Sequence, residues 1–352
     1  MTLRIGILGC GRIAGYFHAP ILGAMPGVAV TALADPIAEN RHRLAPFAPS
    51  AVQYADWRLP ILLGEIDAVV ICLPPALHAE AAIAAFAAGC HVYLEKPLAL
   101  SIAEGRAILA AHQAAGTVGM IGLNYRFHPL VRDAKARVAQ GEIGRVIAVR
   151  TLFTSARRAL PGWKLVPGAG GDALSDLGTH DVDLVSYLTG HFIQPDTLIG
   201  EQSSGPDGSF ATVLGRLDNG GLVNICVGQT TGHSARRIDI LGDAGHLTVD
   251  LADTVPRPVD RPPHRFTRLA QVGQHLSALS PSRLLRRTAQ EPSFAPALAA
   301  FVGAAKGGQA GSPDLNDGFR ALQLVEVAVS SGRHLLQTPL RNLEPADHQA
   351  AK

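Results

Sequence analysis

Leu3-Arg4-Ile5-Gly6-Ile7-Leu8-Gly9-Cys10-Gly11-Arg12-Ile13-Ala14 decides how this chain folds, because a short apolar run passes directly into the pattern G-x-G-x-x-A. The run reads as a strand and the small residues as the turn that starts a helix. Gly9 permits the tight turn, Gly11 lets a pyrophosphate approach the backbone, and Ala14 lets helix and strand pack closely. The helix N-terminus then offers free N–H groups to phosphate oxygens. A second apolar run, Val28–Ala34, ends in Asp35, roughly 20 residues further on, where a carboxylate accepts hydrogen bonds from ribose hydroxyls. Both halves together predict a dinucleotide site. The Asp35 carboxylate repels a 2′-phosphate and no arginine directly follows it, so NAD is expected over NADP.

Working outward, short β-rich runs alternate with alanine-rich helical runs through residue 122. Leu3–Leu8, Val28–Ala34, Ala68–Cys72, His91–Leu94 and Val118–Gly122 read as strands, with helices at Ile13–Ala24, Ala76–Ala88 and Ile102–Ala115. Strands without polar alternation, separated by helices, predict a doubly wound parallel sheet covered on both faces. After Arg126 the pattern changes. A helix near Leu130–Ala139 and a long β run, Arg145–Phe153, precede a helix at Asp176–Tyr187. Phe210–Leu217, Leu222–Thr230, Arg236–Leu241 and His246–Asp250 then follow in quick succession as an antiparallel meander. Helical patterns resume at Ala295–Ala305 and Asp317–Ser331. The fold class is α/β, divided into residues 1–123 and 124–340. An irregular Pro- and Arg-rich excursion occupies 252–292, read as a solvated loop, a lid or an arm on a neighbouring subunit.

Composition narrows the partners. The 352 residues are 47% hydrophobic and 17% charged, with a net charge of +2, which excludes a disordered chain and supplies no field for nucleic acid or anionic membrane. No apolar run reaches the roughly 18 residues that span a bilayer. No secretory h-region precedes Gly9, so a cytoplasmic location is expected. Cys10, Cys72, Cys90 and Cys226 are scattered without Cys-x-x-Cys spacing, so neither a metal centre nor a disulfide framework is expected. Arg145–Phe153 carries apolar residues on both faces, which predicts a subunit contact and hence a homodimer or homotetramer through the second sheet.

Two further clusters carry chemistry. Leu73-Pro74-Pro75, with His78 beyond, follows the third strand, and Glu95-Lys96-Pro97 follows the fourth. Ligands of such sheets bind outside the carboxyl ends of the strands. Further on, Asp176, His180, Asp183 and Tyr187 follow a 4, 3, 4 spacing that places them on one helix face.

With Asn124-Tyr125-Arg126-Phe127-His128-Pro129 and Trp163-Lys164 added, the chain resembles the glucose–fructose oxidoreductase / inositol dehydrogenase / rhizopine-catabolism (Gfo/Idh/MocA) family over nearly its whole length. The resemblance implies an N-terminal Rossmann domain, a C-terminal α/β domain with a mostly antiparallel open sheet, and NAD(P)-linked redox chemistry on a sugar or polyol hydroxyl. It also implies that Lys96 binds and polarises the reacting oxygen, that His180 acts as acid/base and that Asp176 assists. Cys10, Gly11, Arg12, Ile13, Asp35, Leu73, Pro74, His78, Glu95, Lys96, Asn124, Trp163 and Lys164 would line the dinucleotide beside Gly9. Tyr125, Arg126, Asp183 and Tyr187 would touch substrate.

Removing a hydride from a secondary alcohol requires a base within hydrogen-bond reach of the hydroxyl. Lys96 and His180 are both candidates, and the sequence does not choose between them. The same residues would serve an NAD-dependent glycoside hydrolase or epimerase that oxidises its substrate transiently and retains the cofactor. A non-catalytic dinucleotide and sugar sensor on this fold is the third reading.

Overall fold

The structure, a computed structural model, describes residues 2–156, 160–166, 168–205, 208–253, 256–257, 259–260, 291–307 and 311–337. Six strands, β1 (Leu3–Leu8), β2 (Val28–Ala34), β3 (Val52–Tyr54), β4 (Ala68–Ile71), β5 (His91–Leu94) and β6 (Gly119–Ile121), form a parallel sheet in the order β3-β2-β1-β4-β5-β6. The order reverses between β1 and β4, and the crevice for a dinucleotide opens at such a reversal. Ile5, Ile7, Val69, Val70 and Ile71 are fully buried, as the unbroken apolar strands require of a sheet covered on both sides.

Helices α1 (Ala19–Gly23), α2 (Ala38–Leu44), α3 (Arg58–Leu62), α4 (His78–Ala87) and α5 (Ile102–Ala115) wind around this sheet. Helix α5 starts where Ser101 and Glu104 exchange hydrogen bonds with each other's backbone N–H, and stops at Gly116 in the left-handed conformation. The single helix expected at Ile13–Ala24 is instead a wide π-type turn over Ala14–His18 followed by α1. That turn carries buried His18 inward toward the sheet.

The second sheet contains β7 (Val146–Ala156), β8 (Ile199–Gly205), β9 (Gly208–Arg216), β10 (Leu222–Thr231), β11 (Ala235–Gly242) and β12 (His246–Asp250), in the order β12-β11-β7-β10-β9-β8. The expected meander is corrected here. β7 inserts between β10 and β11, parallel to β10 and antiparallel to β11. Hydroxyls tie the short β10–β11 link across the end of β7: Thr154 Oγ1 donates to the His233 carbonyl at 3.1 Å, and the Ala156 N–H donates to Ser234 Oγ at 2.9 Å.

Helices α6 (Pro129–Ala139), α7 (Thr179–Thr189) and α9 (Leu315–Gln337) cover one face of the second sheet. Val131, Val185 and Val325 pack there on Val149, Val213, Ile225 and Ile240. Leu152, Phe210, Leu214, Leu222 and Leu241 are exposed, and the strand pairings place them on the opposite face. Helix α8 (Phe294–Ala305) falls within the sequence range assigned to the second domain, yet Ala297, Leu298 and Phe301 lie in the core of the first sheet with Ile5, Ile7 and Tyr93. Most of the excursion at 252–292 lies outside the described residues. Among the described residues no helix is long and apolar enough to cross a membrane.

Candidate active site

The glycine turn is built as its spacing demands. Gly9 has φ +88°, and a Cβ there would stand 2.6 Å from the Cys72 carbonyl oxygen, so only glycine fits. A Cβ on Gly11 would meet nothing within 4 Å, which leaves that face of the loop open to a diphosphate. The Asp35 carboxylate closes the turn by accepting from the Cys10 N–H at 2.9 Å and the Ile37 N–H at 2.8 Å. Although no arginine directly follows Asp35, α2 brings two back. Arg41 donates to the Asp35 carbonyl, and Arg43 donates to the Cys10 carbonyl at 3.2 Å.

Around Lys96 the two sheets meet. Lys96 Nζ, beyond the end of β5, donates to Asp176 Oδ1 at 2.7 Å and to the Asp176 carbonyl at 2.7 Å. Lys164 Nζ donates to the other carboxylate oxygen, Oδ2. Gln229, from β10, adds a hydrogen bond to Oδ2 at 3.3 Å and one to the Gly171 carbonyl at 2.8 Å. Gly171 is required here, since a Cβ would lie 2.3 Å from Lys164 Cα. Burial on its own raises the Asp176 carboxyl, but the two ammonium groups overcome it and hold the group well below the usual carboxylate range. Asp176 sits in a second wide turn, Leu174–Gly178, that leads into α7.

His180, in the first turn of α7, is buried with Nδ1 unpartnered. Burial first, and then the Lys96 charge, push its imidazole well below the ordinary histidine value, with Asp176 opposing only in part. The ring is therefore neutral at physiological pH. Tyr125 packs edge-on against it with centroids 4.7 Å apart, and the Arg236 guanidinium lies over Tyr125 and Phe153.

Not every residue expected at the site faces the same space. Lys96, Asp176, His180, Lys164 and Tyr125 come together, with Trp163 beside the Lys164 ammonium. His78 is 1% exposed and faces two backbone carbonyls, of Pro97 at 2.7 Å and Leu73 at 2.9 Å, so it ties together the segments after β4 and β5. Glu95 is buried against His18 at 2.7 Å, and Asn124 Nδ2 donates to Ser293 Oγ at 2.7 Å. Cys10 turns its side chain into the core, while Arg12 lies exposed at the turn, and Ile13 and Pro74 are half-buried. Arg126, Asp183 and Tyr187 gather elsewhere. The wide turn before α7 and the pairing of Arg126 with Asp183 and Asp317 direct them to a different cavity, lined by none of Lys96, Asp176 and His180. Sequence reasoning missed Gln229, whose only signal was a polar residue near the end of an apolar strand.

The fold and this site define an NAD-binding Rossmann oxidoreductase. Residues 3–123 match the oxidoreductase family with NAD-binding Rossmann fold, and residues 131–248 match the GFO/IDH/MocA C-terminal domain. The chain belongs to the Gfo/Idh/MocA family. It is 34% identical to levoglucosan dehydrogenase of Pseudarthrobacter phenanthrenivorans over 64% of this chain and 62% of that protein. To scyllo-inositol 2-dehydrogenase (NAD(+)) of Bacillus subtilis it is 28% identical over 70% of this chain and 73% of that protein. A solved levoglucosan dehydrogenase in complex with NADH and levoglucosan superposes with a TM-score of 0.80 at 25% identity, covering 95% of this chain and 98% of that one.

Proposed function

We propose that this protein is an NAD-dependent dehydrogenase that oxidises a secondary hydroxyl of a monosaccharide, anhydrosugar or cyclic polyol. The observation that carries the reading is the Lys96–Asp176–Lys164 ion cluster, beside a neutral His180 at the end of a dinucleotide-binding sheet. Gly9, Gly11 and Asp35 fit NAD: one glycine is sterically obligatory, one faces open space, and the carboxylate is fixed by backbone N–H groups. Bound NAD supplies the hydride acceptor.

The chain's own residues manage the oxygen and its proton. Lys96, positioned by its hydrogen bonds to Asp176, hydrogen-bonds the carbinol oxygen and stabilises the negative charge that grows there as hydride departs. His180, neutral because it is buried beside Lys96, takes the hydroxyl proton on its imidazole. Asp176 and Gln229 keep Lys96 in place. The proposed assembly is a homodimer or homotetramer, supported by the apolar side chains exposed on the outer face of the second sheet.

The test follows reduced-cofactor absorbance with levoglucosan, inositols, aldoses and sugar acids, each with NAD and with NADP. Reduction of NAD by at least one of these, reduced roughly 10²- to 10⁴-fold in Lys96→Ala and in His180→Ala, is the expected result. Cofactor that co-purifies with the protein and gives no net NADH with any free sugar overturns the reading in favour of transient oxidation with retained cofactor.

A further inference from the structure

Away from the catalytic cluster, a cavity of about 560 Å³ opens between α6, α7 and α9. This lies within the roughly 300–1,000 Å³ range of small-molecule sites. Its walls divide into two kinds. Leu188, Ile193, Leu324 and Val327 make an apolar floor, and Tyr187 and Phe192 add aromatic faces, Phe192 being 55% exposed. On the polar side stand three cations and two carboxylates: Arg126, Lys135 and Arg320 with Asp183 and Asp317.

The charges do not cancel. Arg126 spends its guanidinium on Asp183 at 2.9 Å and Asp317 at 3.0 Å, and Arg320 pairs with Asp317. Among the described residues, Lys135 has no carboxylate within ion-pair distance and meets instead an aromatic ring. Its ammonium sits 3.7 Å from the centroid of the Tyr187 ring, which Arg126 also approaches at 5.1 Å. Burial and the neighbouring Arg126 draw Lys135 below the ordinary lysine value, against the pull of Asp183 and Asp317. An anion placed beside it would relieve that repulsion.

We propose that this cavity is a second ligand site, for a small monoanion with an aromatic or alicyclic body, whose carboxylate is received by Lys135 and whose ring lies against Tyr187 and the apolar floor. One surplus cation matches one negative charge, whereas a nucleotide or sugar phosphate would bring more charge than the wall can pair. A free sugar would bury hydroxyls against Leu188, Ile193 and Leu324 without partners. The site is separate from turnover in its contacts but shares α7 with His180. The residue before Arg126, Tyr125, packs on the His180 ring.

The probe is biphenyl-4-carboxylate, titrated calorimetrically into the full chain, with biphenyl-4-carboxamide as its uncharged counterpart. One saturable site per chain is expected, with the carboxamide at least tenfold weaker. Lys135→Gln, an exposed helix position outside the catalytic cluster, is expected to weaken the carboxylate at least tenfold and leave turnover unchanged. Val327→Trp, which fills the floor, is expected to abolish binding of both probes. Saturating NAD and sugar are expected to leave the dissociation constant within threefold. No saturable binding, equal affinity for carboxylate and carboxamide, retention of affinity in Lys135→Gln, or displacement by NAD or sugar each overturns the proposal. These readouts are independent of whether any sugar is oxidised.

Discussion

Replacing Asp176 by asparagine removes the one negative charge that two lysines share, with little change in shape. Lys96 Nζ and Lys164 Nζ sit on opposite oxygens of the carboxylate, which puts the two ammonium groups roughly 5 Å apart on ordinary hydrogen-bond geometry. At an effective dielectric constant of about 20, their mutual repulsion is about 3 kcal/mol once the carboxylate no longer offsets it. If that repulsion is what drives Lys96 away from the carbinol oxygen, the chemical step slows by roughly 10²-fold. The expected outcome for Asp176→Asn is therefore a kcat lowered by about 10²–10³, with the separately measured NAD dissociation constant within threefold of the parent.

A second substitution distinguishes this account from simple damage. In the Asp176→Asn background, Lys164→Gln removes one of the two repelling charges, so the double variant is expected to recover part of the lost kcat. In the parent, Lys164→Gln on its own is expected to lower activity. Steady-state kinetics on the four proteins closes the cycle, with a coupling of about 1–3 kcal/mol expected for groups in direct contact. An Asp176→Asn enzyme within threefold of parental kcat, or a double variant slower than Asp176→Asn, refutes the reasoning.

Three other outcomes follow from the same structure. Asp35→Ser is expected to narrow or reverse the preference for NAD, because Arg41 and Arg43 already flank the turn and can receive a 2′-phosphate; titration of both dinucleotides checks it. Asp181 is buried on α7 with Oδ2 unpartnered, and burial pushes its carboxyl up to about 8, opposed only by Thr151. Because the folded form keeps a proton that the unfolded chain releases near pH 4, Asp181 costs stability progressively as pH rises from about 4 to about 8. Asp181→Asn is thus expected to raise Tm at pH 8 more than at pH 5. Light scattering at micromolar concentration is expected to show a dimer or tetramer, and Leu152→Asp with Leu214→Asp on the exposed sheet face is expected to dissociate it.

What the sequence disclosed and what it withheld divide along the range of the interactions. The turn at Gly9, the carboxylate at Asp35 and the helix at Ile102–Ala115 each depend on residues near one another or on a fixed spacing, so their residue types announce them. Strands β3 and β8 were not visible. Val52-Gln53-Tyr54 is too short to show a period, and Ile199 to Gly205 is mostly polar, as suits strands at the two sheet edges. The insertion of β7 between β10 and β11 is a pairing across about 80 residues, which no local pattern encodes. The 4, 3, 4 spacing did place Asp176 and His180 near one another. It did not foresee that Arg126 would claim Asp183 together with Asp317, because Asp317 arrives from a helix more than a hundred residues downstream.

The residues assembled at Asp176 come from separate parts of the chain: Lys96 from the first sheet, Lys164 from a loop, Gln229 from the second sheet and the carboxylate from the turn before α7. Joining domains does not require such a cluster. Desolvating two ammonium groups and a carboxylate costs several kcal/mol, and well-packed apolar side chains of similar volume would hold the same elements together as well or better. Elsewhere this protein uses that cheaper solution, since α8 is fastened to the first sheet by Ala297, Leu298 and Phe301 with no charge at all. A charged junction where an apolar one would serve is explained by what it does to its members. It fixes Lys96 in place through two hydrogen bonds, and burial together with the Lys96 charge keeps His180 an acceptor, at the point where the crevice of the first sheet meets the cover provided by the second. The separation of roles between two basic side chains is therefore a product of burial at His180 and of the hydrogen bonds that place Lys96, rather than of the residue types alone.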